Sequence, residues 1–167
     1  MVVGQIHIAS EEVAQLLSTV PDPEIPVLSV LDLGVVRRVE VDGMNVEIDL
    51  TPTYSGCPAM DTMAVDITSA LMAEGYLPKV NLVLSPAWST DWISENGRKK
   101  LTQYGVAPPL GDELDKRALL YGERLVTCTN CQSTNTIMVS QFGSTACKAL
   151  FKCEDCLEPF DYFKCLK

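Results

Sequence analysis

The sequence predicts an α+β fold: a small α/β sandwich of order α-β-β-α-β-α, followed by a β-rich module like a zinc ribbon. Three observations carry this reading. Apolar residues recur at helical spacing in 10–20 and 58–75. They alternate with polar residues in the stretches between. Four cysteines near the C-terminus form two C-x-x-C pairs, Cys128/Cys131 and Cys153/Cys156, separated by twenty-one residues, close to zinc-ribbon spacing.

The elements follow in order. Ser10 is an N-cap, Glu11 and Glu12 suit the positive end of the helix dipole, and Val13, Leu16, Leu17 and Val20 make one apolar face that stops at Pro21. The run Asp22-Pro23-Glu24-Ile25-Pro26 excludes regular structure, because each proline restricts itself and its predecessor. Val35 to Val41 reads as a strand, Asp42-Gly43 as a tight turn and Met44 to Thr51 as the partner strand. After a polar loop, Pro58 opens a helix carrying Met60, Met63, Ala64, Ile67 and Leu71, and Gly75 ends it. Val80, Leu82 and Leu84 alternate in a third strand; Ser89 or Thr90 caps a short helix, and a further helical stretch runs to Tyr104. The expected division is a domain over 1–111, a linker over 112–124 and the four-cysteine module over 125–167. Those last residues are too few to bury an adequate core without a staple, and a metal is the usual one.

Composition narrows the function. Net charge is −9 over 167 residues, with nine basic against eighteen acidic residues in 1–124 and four against four in 125–167. Neither part offers the basic field that a polyphosphate backbone requires, so nucleic-acid binding is disfavoured. No run of about 18 apolar residues spans a membrane. Met1 to Ser10 shows no charged and apolar secretory pattern, so a cytoplasmic location with reduced thiols is expected.

The chemistry lies in cysteines. Cys128, Cys131, Cys153 and Cys156 make an S4 set that suits zinc or iron. Cys57 precedes Pro58 at a helix start, where the helix dipole lowers a thiol pKa; the alternative is a small buried hydrophobe. Asp22, Glu24 and Asp32 are either oxygen ligands or caps for backbone amides, the latter favoured for turn carboxylates. Cys147 and Cys165 are additional candidate ligands at the ribbon. Trp88 and Trp92 read as core anchors, and the aromatic stretch 159–163 as a closing strand with docking potential. His7 is the only histidine and stands near the N-terminus, so there is no nucleophile–histidine pair; no Gly-rich phosphate loop is present either.

The motifs Asp22-Pro23-Glu24-Ile25-Pro26, Asp32-Leu33-Gly34 and Thr51-Pro52-Thr53-Tyr54-Ser55-Gly56-Cys57-Pro58 resemble a small iron–sulfur assembly family once known only as a domain of unknown function. Trp88-Ser89-Thr90-Asp91-Trp92, Phe142 to Leu150 and Glu158 to Cys165 extend the resemblance over nearly the whole chain, to the phenylacetate-degradation protein D family. The resemblance implies a non-catalytic accessory of the multicomponent phenylacetyl-CoA epoxidase, with the oxygenase and reductase components as partners. It implies iron or iron–sulfur assembly or delivery through Cys57, assisted by Asp22 and Glu24, and zinc at the four-cysteine module. It leaves open a structural adaptor without metal transfer, and a homodimer. Some relatives carry cysteine or histidine between the domains; residues 105–124 here have neither.

Overall fold

A computed structural model describes residues 7, 8 and 10–164. The chain forms two compact units, Met1–Gly97 and Arg98–Lys167, and its mixed helices and sheets bear out the α+β class.

In the first unit, β1 (His7–Ile8) and α1 (Glu11–Ser18) precede the hairpin β2 (Val36–Asp42) and β3 (Asn45–Leu50), then α2 (Ala59–Ala73) and β4 (Leu77–Leu82). A 3-10 turn over Thr90–Trp92 follows. The sheet order is β1-β2-β3-β4, antiparallel at β2/β3 and parallel at both outer pairs. Strand β1 is an addition to the expected order. Its two residues are too few for an alternation to register.

Local chemistry places these elements. The Ser10 side chain accepts from the Val13 amide at 3.4 Å, Glu11 and Glu12 fill the first turn, and Val13 and Leu17 are buried. Gly43, at φ +59°, turns the hairpin, with Asp42 opposite Asn45. Pro58 caps α2, and Gly75 (φ +85°) lies just beyond its C-cap. Met60, Met63, Ile67 and Leu71 make the buried face of α2, which packs on α1 and β4. In β3, Val46, Ile48 and Leu50 are buried. The opposite face is a charged ladder: Arg38 donates to Asp49 at 2.7 Å, Lys79 pairs with Glu47 at 2.9 Å, and the Asn81 amide bridges Glu47 and Asp49. The third strand differs from expectation. It begins at Leu77 and ends at Leu82, and Leu82 and Leu84 are 60% and 64% exposed, because β4 is the sheet edge.

The second unit contains β5 (Val106–Ala107), α4 (Asp112–Tyr121), β6 (Thr136–Ser140), β7 (Lys148–Cys153) and β8 (Pro159–Phe163), in sheet order β5-β8-β7-β6. Helix α3 (Glu95–Tyr104) carries the chain from one unit to the next. Ala107, Ala118, Val126, Ala149, Phe151, Phe160 and Tyr162 form one core with Cys128 and Cys153. Phe151 meets Tyr162 edge-on, ring centres 5.4 Å apart. This unit reaches further back than a module starting at residue 125. Strand β5 pairs in parallel with β8, and Ala118 of α4 joins the ribbon core. A short ribbon lacks apolar surface of its own and recruits these segments. The aromatics of 159–163 are correspondingly not a docking surface: Phe160, Tyr162 and Phe163 are buried.

Candidate functional site

The first candidate site is built from two copies of one turn. In each, the first cysteine amide donates to the carbonyl five residues on: Cys128 to Ser133 at 2.8 Å and Cys153 to Glu158 at 2.9 Å. The residue after each second cysteine, Gln132 and Leu157, takes a left-handed conformation with φ +63° and +66°. These turns aim all four sulfurs inward, with every Sγ within 4.8 Å of the others. Cys128 and Cys156 are 3.6 Å apart, as are Cys131 and Cys153. A tetrahedron with metal–sulfur bonds of about 2.3 Å has edges of roughly 3.8 Å, so the donor set fits one tetrahedral ion. Cys128 and Cys153 are fully buried, Cys156 is half-buried and Cys131 is exposed.

Electrostatics split the thiols. The Glu158 amide, with neighbouring thiols and Asn130, brings Cys156 down to about 7. At Cys131 the Ser133 amide pulls downward, but Cys156, burial, Cys153 and Cys128 together push the thiol up to about 12. A bound divalent cation deprotonates its thiol ligands outright.

Cys147 is not part of this tetrad. It is buried just before β7, with its sulfur 3.1 Å from the Thr145 hydroxyl. Cys153 stands at the far end of that strand, and six residues of strand extend roughly 20 Å. The expectation that Cys147 is an additional ligand is thereby corrected: the length of β7 separates it from Cys153. Cys165 lies outside the described residues.

The second candidate site surrounds Cys57. Gly56 (φ +82°) and a bond from the Cys57 amide to the Tyr54 carbonyl, 3.2 Å, turn the loop into α2. Burial pushes the half-buried thiol up, against the Ala59 amide; the Glu24 carboxylate adds to the rise, and Thr53 and Tyr54 oppose it. The expected thiolate stabilisation by the helix end is thus outweighed: the Ala59 amide acts in that sense, and desolvation is larger. Glu24, thirty-three residues away in sequence, is close enough for its charge to be felt at the sulfur. Asp22 acts differently. Its Oδ1 accepts from the amides of Glu24 at 2.8 Å and Ile25 at 2.5 Å, shaping the turn that presents Glu24. Asp32 accepts from the side chains of Ser94 at 2.7 Å, Asn96 at 3.2 Å and Ser29 at 3.2 Å, so these three donors are side chains and not the backbone amides expected.

Sequence reading missed one constellation in this unit. The Arg37 guanidinium carbon lies 3.5 Å from the centre of the Trp92 ring, and the Trp88 indole donates to the Leu33 carbonyl at 3.1 Å. Two tryptophans flanking Ser-Thr-Asp signalled anchors, and both are buried. Their partners are too distant in sequence to be read.

Comparison with known proteins agrees with both halves. Residues 113–164 match the model of the PaaD zinc beta ribbon domain, and residues 10–80 that of the iron-sulfur cluster assembly protein family. The chain is 48% identical over 163 residues to a PaaD-type protein of Escherichia coli, described as a putative component of 1,2-phenylacetyl-CoA epoxidase, covering 97% of this chain and 94% of that one. It is 36% identical to an Fe-S protein maturation auxiliary factor from Porphyromonas gingivalis, over 54% of this chain and 89% of that one. A solved domain of unknown function DUF59 from Bacillus anthracis superposes with a TM-score of 0.51 at 29% identity, covering 54% of this chain and 88% of that one. The chain therefore belongs to the PaaD family, an iron–sulfur-assembly domain joined to a PaaD zinc β-ribbon.

Proposed function

We propose that this protein is a non-catalytic maturation accessory of a multicomponent phenylacetyl-CoA epoxidase, whose oxygenase and reductase components are its partners. The observation that carries the reading is the Cys57 site: a half-buried thiol at a helix start, within reach of the Glu24 charge. A soft sulfur in the field of a carboxylate suits transient capture of iron or an iron–sulfur cluster as cargo. The raised thiol pKa favours reversible holding, since a proton competes with the metal for the sulfur. Asp22 keeps the Glu24 turn in place. The four-cysteine site holds zinc in this reading, with Cys128, Cys131, Cys153 and Cys156 as ligands; zinc supplies no redox chemistry there and stabilises the ribbon. The relatives named as an epoxidase component and as Fe-S maturation factors support this assignment.

The chain's surroundings for Cys57 do not suit a nucleophilic enzyme. Burial and the Glu24 charge raise the thiol pKa, opposite to what an activated nucleophile needs. A second reading, a zinc-ribbon adaptor that stabilises the oxygenase complex without metal transfer, is favoured by the core that the ribbon shares with α4 and β5.

Metal and acid-labile sulfide analysis of protein purified without oxygen, together with growth on phenylacetate, separates the two. Maturation predicts that Cys57→Ser abolishes epoxidase activity while zinc at the ribbon is retained. Full activity in that variant leaves the adaptor reading standing.

A further inference from the structure

The four-cysteine site is unequally covered, and the inequality points to a chemistry beyond holding a metal. Cys128 and Cys153 have no exposed surface, so no small reagent reaches them from solvent. Cys156 is half-buried, and its sulfur already takes the Glu158 amide and the Asn130 side-chain amide, the latter at 3.7 Å. Cys131 is the exposed member of the four. Its sulfur has a neighbour positioned to respond: the Sγ of the buried Cys153, 3.6 Å away.

We propose that Cys131 is the oxidisable edge of the metal site, oxidised first by a peroxide, and that Cys153 then closes a disulfide with it and releases the metal. The inference rests on the reading that these four cysteines hold a divalent ion. The Cys131 thiolate attacks one oxygen of hydrogen peroxide; the O–O bond breaks, sulfur is oxidised to the sulfenic acid, and the other oxygen departs as hydroxide. The Cys153 thiolate then attacks the Cys131 sulfur; an S–S bond forms, the S–O bond breaks, and a second hydroxide leaves. Two thiolates and one peroxide give one disulfide and two hydroxides. The ion keeps only Cys128 and Cys156, half of its tetrahedral set. The new bond runs between the two turns, so the pair that holds the ribbon closed changes from metal-bridged to covalent.

The test uses the full chain loaded with zinc, freed of excess metal and reductant, and treated with one equivalent of hydrogen peroxide. A coloured chelator follows released zinc, a 1,3-diketone traps sulfenic acid, and peptide mass spectrometry locates the products. The expected result is diketone label on Cys131 ahead of the other three ligands, a Cys131–Cys153 disulfide, and roughly one zinc released per disulfide formed. A dithiol with added zinc reverses it. First label on Cys128, Cys153 or Cys156 overturns the proposal, as does zinc retained while peroxide is consumed elsewhere in the chain. A chain that takes up no zinc at the four cysteines refutes the metal reading itself, and that result is read before any peroxide is added.

Discussion

Gly34 lies directly against the backbone of Trp92. A Cβ on Gly34 would stand 2.3 Å from the Trp92 carbonyl oxygen and 2.7 Å from its carbonyl carbon, and Gly34 has φ +73°. This contact joins the Asp-Leu-Gly motif to the Trp-Ser-Thr-Asp-Trp motif. Gly34→Ala therefore meets both a backbone clash and a left-handed conformation, and should cost about 3 kcal/mol or more. Gly43→Ala, at φ +59° with open space around it, should cost only about 1–2 kcal/mol. Urea unfolding followed by tryptophan fluorescence checks this, since Trp88 and Trp92 are the chain's two tryptophans and both lie in the first unit.

At Cys57, burial and Glu24 both raise the thiol pKa. The thiol therefore holds its proton to higher pH than a free cysteine, and its alkylation rate should level off at a higher pH than that of a free thiol. Glu24→Gln removes a negative charge, stabilises the thiolate and lowers the pKa, so Cys57 should react faster at any fixed pH below it. Iodoacetamide labelling of the zinc-loaded protein, read peptide by peptide, measures both. A slower Glu24→Gln variant would contradict the assigned electrostatics.

Metal uptake at the ribbon should release protons at pH 7.5, because Cys131 sits at about 12 and must lose its proton to bind. Zinc affinity should therefore fall as pH falls, and fall more steeply once Cys156, at about 7, also begins to hold a proton. Calorimetric titrations in buffers of different ionisation enthalpy count the protons. Removing the metal with a chelator should loosen the β6–β8 sheet and expose it to protease, with zinc restoring protection.

Gln132 and Leu157 hold left-handed conformations that cost a side-chain-bearing residue roughly 1 kcal/mol. Glycine at either position should leave zinc affinity intact and hold or raise the melting temperature. Valine, whose branched side chain fits that conformation worst, should lower it. Thermal melts of the zinc-loaded protein decide between these outcomes.

The Tyr162 hydroxyl donates to the Asp115 carboxylate and lies 3.2 Å from the Leu110 amide. Burial and the Asp115 charge hold this phenol protonated, well above its ordinary value. Tyr162→Phe should cost about 1–3 kcal/mol by taking a donor away from a buried carboxylate. Circular dichroism of the thermal transition gives the figure. A neutral substitution would mean that α4 is held by its apolar contacts alone.

Much of this molecule is local chemistry and was legible as such. Ser10, Asp42-Gly43, Pro58 and Gly75 act on their immediate neighbours, so the edges of α1, the hairpin and α2 fell close to where the residues placed them. The C-x-x-C pairs specified a metal tetrad because two cysteines on one tight turn need no help from the rest of the fold. The boundary of the second unit was less legible. Val106–Ala107 is too short to show a strand period, and α4 looks like a charged connector until its Ala118 side meets the ribbon core.

The sequence by itself determined the α+β class, the paired turns of the four-cysteine site and the presence of a cysteine at the start of α2. Tertiary structure alone decided that the Glu24 charge reaches Cys57, that burial outweighs the helix end at that thiol, that Cys147 sits at the wrong end of β7, and that Cys131 is the exposed edge of the tetrad. Turns and metal ligands are directional and short-ranged, so their residue types are written next to one another. Burial is non-directional and depends on which distant surfaces meet, and that is settled only when the chain has closed on itself.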